Sequence, residues 1–179
     1  MIADKHILRA TRDNPDRGFR LLLDKYQEPV YWHIRRLVVD HEDARDAAQE
    51  TFIRACRHIS AVRDADGLRP WLFRIATNEA LRLIAVSRGR SEISLDEATV
   101  EVSRLESADL IDRSDQVALA LQRAILSLPA KQQLAFNLRY YDEMPYADIA
   151  RIMDSTVANV KANYHVAKQK IVQYINENE

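Results

Sequence analysis

The sequence has few of the residues that build disulfide-linked, glycine-rich or membrane-spanning proteins. Among 179 residues there are three glycines, five prolines and one cysteine. A single cysteine excludes an intrachain disulfide and a cysteine-based zinc site, as is typical of proteins from a reducing compartment. No apolar run approaches the roughly 20 residues of a membrane span. The first residues also lack the apolar segment of a signal peptide, so we expect a cytoplasmic protein.

Neither sign of charge is in excess, and the common catalytic motifs are missing. The chain carries 26 basic and 27 acidic residues, for a net charge of −1. Any nucleic-acid-binding surface must therefore be local. There is no phosphate-binding loop, no HExxH and no GxGxxG, and the five histidines have no metal-ligand spacing. We expect no catalytic residue, no metal, no cofactor and no small-molecule substrate.

Alanine, leucine, arginine and glutamate are abundant, and few segments alternate with the period of two that strands require. The composition and periodicity therefore predict an all-α protein. Residues 86–115 differ from the rest, because they carry eight acidic residues against four arginines and show no sustained apolar period. We interpret them as an acidic linker. It joins two small helical domains, residues 1–85 and 116–179.

The stretch RPWLFRIATNEALRL, residues 69–83, predicts an amphipathic helix with an unusual outer face. Its core side would comprise Leu72, Phe73, Ala76, Ala80 and Leu83. Its outer side would comprise Trp71, Arg74, Asn78 and Arg82, with Ile75 among them. An indole, two guanidiniums and an amide form a platform that can stack and bind nucleic-acid bases. The residue types alone leave open a partly covered tryptophan beside two solvated arginines.

The stretch HEDARDAAQETFIRACRHI, residues 41–59, predicts a second amphipathic helix. Its apolar stripe would hold Ala44, Ala48, Phe52, Ala55, Cys56 and Ile59, which makes Cys56 a packing residue. Its polar side carries Asp43, Asp46 and Glu50, followed by Arg54 and Arg57. Acids near the start and bases near the end suit the helix dipole. A solvated surface and a docking surface are both consistent with this pattern.

The C-terminal part has the pattern of a helix-turn-helix. A helix over residues 146–153 starts after a proline, a turn follows at Asp154 and Ser155, and a longer helix begins near Thr156. On this longer helix the spacing places Val157, Val160, Tyr164, Ala167 and Ile171 inward. It places Ala158, Lys161, Ala162, His165 and Gln169 outward, with Lys168 on the flank. Small residues beside Lys and His suit a helix in the major groove, although ordinary helical hairpins share this spacing.

Three motifs occur in an order that resembles an extracytoplasmic-function sigma factor of bacteria. They are DARDAAQETFIRAC (residues 43–56), RPWLFRIATNEAL (69–81) and, after the acidic segment, LSLPAKQQLAFNLRYYDEMPYADIARIMDSTVANVKANYHVAK (126–168). The resemblance extends from about Phe19 to Ile171. One such motif would be weak, whereas three in this order and spacing are specific.

The resemblance implies a non-enzymatic protein that binds core RNA polymerase, through the clamp coiled coil of β′ and the β flap, and recognises −10 and −35 promoter elements. It implies an anti-sigma factor as a further partner, membrane-anchored in many relatives. The implied polymerase-binding residues are Asp43, Asp46, Gln49, Glu50 and Arg54. The implied −10 residues are Arg69, Trp71, Arg74, Asn78 and Arg82, with Trp71 and Asn78 at positions associated with strand opening and base capture. The implied −35 residues are Thr156, Ala158, Lys161, Ala162, His165, Val166 and Lys168.

The chain departs from the family pattern on the longer helix of the helix-turn-helix, the one that begins near Thr156. Many members carry Arg at the positions of Asn163 and Val166, and Gly-Thr in place of Ala158-Asn159. From Gln116 onward there are seven basic and six acidic residues. A domain with so little net charge releases few counterions, so we expect it to bind DNA weakly alone. Tethering to the other domain on one polymerase would offset this weakness.

Two alternatives to a sigma factor remain open on the residues. One is a two-domain helix-turn-helix regulator that binds duplex DNA without polymerase. That reading leaves the charged face of residues 43–57 and the acidic segment without a role. The other is a helical adaptor that binds only protein. Specific initiation with sigma-free core polymerase separates the sigma factor from both.

Overall fold

A computed structural model describes residues 1–38, 40–87 and 116–178. Within these ranges the chain forms eight α-helices and no strand, which confirms the all-α prediction. The helices are α1 (Asp4–Asp13), α2 (Pro15–Leu37), α3 (His41–His58), α4 (Leu68–Ser87), α5 (Gln116–Leu126), α6 (Ala130–Tyr140), α7 (Tyr146–Met153) and α8 (Val157–Asn178). Helix α4 continues two residues into the predicted linker, whose residues 88–115 lie outside the described ranges.

Helices α1 to α4 form the N-terminal half. Asn14 caps α2 by accepting a hydrogen bond from the backbone N–H of Arg17, and Asp40 caps α3 in the same way. Two 3-10 turns, at residues 59–61 and 65–67, connect α3 to α4. Pro70 lies in the first turn of α4, where its missing N–H removes no helical hydrogen bond. These caps and turns explain where the predicted helices begin.

Helix α1 lies very close to the start of α2. Gly18 of α2 is buried, and a Cβ atom on it would come within 2.5 Å of backbone atoms of Thr11. This approach buries Ile7 and Leu8 completely or nearly so. The Tyr26 hydroxyl donates to the carboxylate of Asp4 at 2.9 Å, and burial with this carboxylate raises the pKa of the phenol. Absence of a side chain at Gly18 is therefore what permits α1 to dock.

Helix α3 packs on α4 through the predicted stripe of small and apolar residues, with one exception. Ala44, Phe52 and Ala55 are buried, whereas Cys56 is exposed. The prediction that Cys56 packs in the core is wrong. Cys56 lies at the edge of the stripe, and helical spacing alone does not show whether a neighbour covers that edge.

Helices α5 to α8 form the C-terminal half and contain the helix-turn-helix. Asp154 ends α7 in the left-handed region, with φ of 50°, and the Thr156 hydroxyl accepts from the backbone N–H of Asn159 at 3.1 Å. The half has an apolar cluster of its own, made of Ala124, Ile125, Leu128, Phe136, Ala167 and Ile171. Val157 is 39% exposed, so its predicted inward position is wrong. Spacing gives the side of a helix but not whether a neighbour covers its first turn.

The two halves pack against each other. Helix α7 lies on α4, and α6 touches α2. One apolar cluster includes buried residues of both halves, among them Leu72 and Phe73 of α4 and Ile149, Ile152 and Met153 of α7. The described residues thus form a closed arrangement in which α7, the first helix of the helix-turn-helix, covers one side of α4.

Candidate functional site

The outer face of α4 is organised as the spacing predicts. Arg74 and Asn78 are exposed, and Trp71 is half-buried against the apolar cluster. On the opposite side Leu72, Phe73, Ala76 and Ala80 are buried. A tryptophan held on one side by the core and open on the other can offer a stacking surface with little loss of side-chain entropy.

Arg82 lies further along the same face and is already paired. Its Nη2 is 2.8 Å from Oε2 of Glu79, a residue with only 3% exposure. The other Glu79 oxygen, Oε1, lies 2.7 Å from Nε of Arg54 on α3, and Arg54 also reaches Glu50 at 3.1 Å. Two predicted surfaces, on α3 and α4, are therefore linked through one buried carboxylate. The i,i+3 spacing of Glu79 and Arg82 was the only sequence signal for this link.

The predicted docking face of α3 borders a groove. Asp46 and Gln49 are exposed and line it, together with Phe19, Leu23 and Tyr31 of α2. The groove has a volume of about 1040 Å³. Of the remaining predicted residues, Asp43 and Glu50 are half-buried and Arg54 is exposed. The five residues occupy one side of α3, although Arg54 also faces α4 through Glu79.

Arg69 is separated from the other predicted −10 residues. It lies in the first turn of α4 on the side that faces the C-terminal half, and its Nη2 donates to the backbone carbonyl of Asp142 at 2.5 Å. Asp142 belongs to the turn between α6 and α7. The structure therefore brings Trp71, Arg74, Asn78 and Arg82 together but places Arg69 in the contact between halves.

The segment that precedes α4 is held by one local hydrogen bond and one from α1. The Asp64 carboxylate accepts from the backbone N–H of Gly67 at 2.8 Å, which shapes the second 3-10 turn. Arg12 of α1 donates to the carbonyl of Arg63 at 3.3 Å. Helix α1 thus supports the loop that leads into the outer face of α4.

The predicted reading surface of α8 is open to solvent. Exposed residues are Thr156, Ala158, Lys161, Ala162, His165 and Lys168, and Val166 is half-buried. Lys161 and Lys168 lie over the rings of Tyr146 and Tyr164, with ammonium-to-centroid distances of 5.5 and 5.6 Å. These contacts orient two cations along the exposed face.

Neither a metal site nor a membrane span is found in the part of the chain that the structure describes. No group of three or more His, Cys, Asp or Glu side chains there has the arrangement of a metal site. No helix in those ranges combines the length and apolar character that crossing a bilayer requires.

Comparison with known proteins identifies both halves. The family model for sigma-70 region 2 matches residues 22–90, and the model for sigma-70 region 4 matches residues 118–171. The sigma-H factor of Pseudomonas aeruginosa is 30% identical over 177 residues, which covers 94% of this chain and 91% of that protein. The chain belongs to the bacterial sigma factors. The sigma-E factor of Escherichia coli K12, of the extracytoplasmic-function (ECF) group, is also 30% identical, over 95% of this chain and 93% of its own length.

Two solved structures share the fold. CnrH in complex with the cytosolic domain of CnrY matches with a TM-score of 0.72 and 18% identity, over 99% of this chain and all of that one. RpoE in complex with the anti-sigma factor NepR from Bartonella quintana matches with a TM-score of 0.69 and 20% identity, over 90% and 98% of the two chains. As an ECF sigma factor, this protein directs core RNA polymerase to promoters with −10 and −35 elements and promotes transcription initiation.

Proposed function

We propose that three exposed helix faces divide the work of this sigma factor. The outer face of α3 docks on core polymerase, the outer face of α4 opens the −10 element, and α8 reads the −35 element. The observation that carries the proposal is the outer face of α4. There Trp71 is fixed by the core while Arg74 and Asn78 beside it are exposed.

For α3, the support comes from charge and shape together. Asp46 and Gln49 line a groove that also contains apolar residues of α2. A partner helix that is basic and partly apolar would match this surface, and charge complementarity of this kind speeds association and selects partners. The β′ clamp coiled coil is the partner that we assign to it, and the β flap is assigned to the C-terminal half.

For α4, the support is a combination of stacking, phosphate and base-edge groups. An indole can stack on an unpaired base, a guanidinium can bind a phosphate, and an amide can hydrogen-bond a base edge. Trp71, Arg74 and Asn78 bring these groups onto one face. A single strand fits this combination better than a duplex does, because bases in a duplex are not free to stack on a side chain.

For α8, the support is that small exposed side chains lie next to two lysines on the same face of the helix. Ala158 and Ala162 leave room for close approach to the groove, and Lys161 and Lys168 can contact phosphates. His165 lies on the same exposed face and can donate to a base edge. Asn163 is committed to its own helix, since its amide donates to the carbonyl of Asn159 at 2.9 Å.

An anti-sigma factor is the further partner that we assign. The matched RpoE structure contains the anti-sigma factor NepR, and the matched CnrH structure contains the cytosolic domain of CnrY. The fold of this chain is similar to the fold of both of those structures. We assign no catalytic activity to the chain, in keeping with the lack of catalytic motifs in its sequence.

Reconstitution tests the proposal directly. The protein is added to sigma-free core polymerase with a pool of genomic promoters, and specific transcripts are sequenced. We expect initiation that depends on the added chain, with start sites that share upstream elements. DNA binding without polymerase-dependent initiation would favour a duplex-binding regulator, and core binding without DNA recognition would favour an adaptor. Either result would overturn the assignment of the three faces.

A further inference from the structure

Glu79 is the single acidic residue of α4, and it is almost completely buried. It is 3% exposed, and its two carboxylate oxygens contact different arginines. Oε1 lies 2.7 Å from Nε of Arg54 on α3. Oε2 accepts from Nε and Nη2 of Arg82 at 3.0 and 2.8 Å. A carboxylate that water does not reach is costly unless it is paired, so these contacts stabilise its charge inside the protein.

The contact with Glu79 uses one edge of the Arg82 guanidinium. Nε and Nη2 form that edge, and both donate to the same oxygen. The other terminal nitrogen, Nη1, takes no part in the contact, and 51% of the side chain is exposed. A guanidinium carries five N–H groups in a rigid plane, so an arginine that is held by one edge can still donate from another. Glu79 therefore fixes the plane of Arg82 without occupying all its donors.

Arg54 is restrained by the same carboxylate and by a second one. Its Nε lies 3.1 Å from Oε1 of Glu50 in addition to the contact with Glu79, and 46% of its side chain is exposed. One buried carboxylate thus restrains a long cationic side chain on the docking face of α3 and another on the outer face of α4. A side chain that is already ordered loses less entropy when it binds a partner. Restraint by Glu79 therefore favours binding on both faces.

The charge of Glu79 acts against this restraint but more weakly. A nearby carboxylate repels a phosphate, whereas a guanidinium held in one plane suits the paired oxygens of a phosphate. Because Glu79 is buried and Arg82 is half-exposed, a phosphate that arrives from solvent meets the guanidinium and stays further from the carboxylate. Repulsion over the longer distance is weaker. The restraint is therefore the larger of the two effects.

We propose that Glu79 is a positioning residue, whose carboxylate orients Arg82 for the opened strand of the −10 element and, to a smaller degree, Arg54 for core polymerase. The inference rests on the proposed function, because that function assigns these partners to α4 and α3. The effect on Arg54 is smaller because Glu50 still restrains Arg54 when Glu79 is removed.

The test measures how the reconstituted holoenzyme binds a single strand. The probe is a fluorescent single-stranded oligonucleotide that carries the −10 element of a promoter recovered in the reconstitution. Glu79→Gln keeps the shape of the side chain and removes its charge. We expect about two- to tenfold weaker binding, the equivalent of ordering one long side chain on binding, and a smaller loss of affinity for core polymerase. Asp13→Asn removes the same charge from an exposed residue of α1 and should change neither affinity.

Two comparisons distinguish positioning from the effects of charge and of stability. If Glu79→Gln weakens one phosphate contact, the slope of log affinity against log salt concentration should become shallower, by at most about 0.7 for a single strand. In an Arg82→Ala background, Glu79→Gln should cause no further loss of strand binding, because the side chain that it positions is absent. Unchanged or tighter binding, a steeper slope, or a further loss in that background would overturn the positioning role.

Arg82→Lys tests the same geometry from the other side of the contact. Lysine keeps the charge but lacks the rigid edge that Glu79 engages, so this variant decides the matter even where Glu79→Gln fails to fold. We expect weakening of strand binding by about two- to tenfold here as well, and wild-type affinity in Arg82→Lys would refute the inference. Failure of the wild-type chain to support initiation would refute the proposed function instead.

Discussion

Substitution of Gly18 by alanine tests how α1 is held on the protein. In an open helix this change is stabilising by about 1 kcal/mol, because alanine has the higher helix propensity. Here the new Cβ would lie 2.2 Å from Oγ1, 2.4 Å from Cα and 2.5 Å from the backbone N of Thr11. No side-chain rotation removes the contacts with backbone atoms, so α1 has to move away from α2.

The cost follows from what α1 buries. Ile7 is 0% exposed and Leu8 is 6% exposed. Full burial of one such side chain is worth about 1.5–3 kcal/mol, so complete loss of α1 docking would cost about 3–6 kcal/mol. A partial shift loses part of this, and the propensity gain offsets about 1 kcal/mol. We expect Gly18→Ala to lower the free energy of unfolding by about 2–4 kcal/mol.

Urea denaturation followed by circular dichroism measures the difference. Arg20→Ala is the matched control, because Arg20 is exposed on the same helix and should change stability by less than about 0.5 kcal/mol. The shift of α1 should also release Arg12 from the carbonyl of Arg63 and make the loop before α4 exchange amide hydrogens faster. A Gly18→Ala protein as stable as wild type, or more stable, would refute the close packing of α1 on α2.

Three further substitutions test the surfaces proposed on α3 and α4 and the ion pairs that link them. Glu50→Arg reverses a charge on the docking face of α3 and should weaken binding to core polymerase, measured by fluorescence anisotropy; unchanged affinity would identify this face as merely solvated. Trp71→Ala should spare core binding but make the free energy of promoter opening less favourable by about 1–3 kcal/mol, the value of one base–aromatic stacking contact. The loss of transcription should disappear on pre-melted templates. An equal loss on double-stranded and pre-melted templates would contradict a role in opening. Glu79→Gln removes the shared carboxylate of Arg54 and Arg82, whose side chains are 46% and 51% exposed. Since both partners can be hydrated, the loss should be about 1–2 kcal/mol, seen as a melting point lower by several degrees, and an unchanged melting point would show that the pairs contribute nothing.

Helical periodicity predicted the faces of α4 because the packing of a helix follows its own repeat. Leu72, Phe73 and Ala76 are buried and Arg74 and Asn78 are exposed, as a helical rotation of 100° per residue requires. The same reasoning was correct for most of α8. For Cys56 it was wrong, because the periodicity specifies a direction and not the presence of a neighbour.

Contacts between distant parts of the chain left no such signal. Arg69 and Asp142 are 73 positions apart, and the sequence offers no local pattern that joins them. The ion pair between Arg54 and Glu79 was not predicted for the same reason, because Glu79 lies on another helix. The sequence could therefore predict which helices carry the candidate surfaces, but not that the packing of the two halves covers one of the predicted residues.

The apolar cluster that extends through both halves limits how freely these halves can be recombined. Family models treat the two regions as separate units, but here Phe73 of one and Ile149 of the other belong to the same buried cluster. A chimera that takes its C-terminal half from a relative would keep the promoter-reading helix yet lose the matched side chains beneath it. Such a hybrid should unfold with lower cooperativity than the parent, so exchange of promoter specificity between relatives is constrained by packing as well as by DNA recognition.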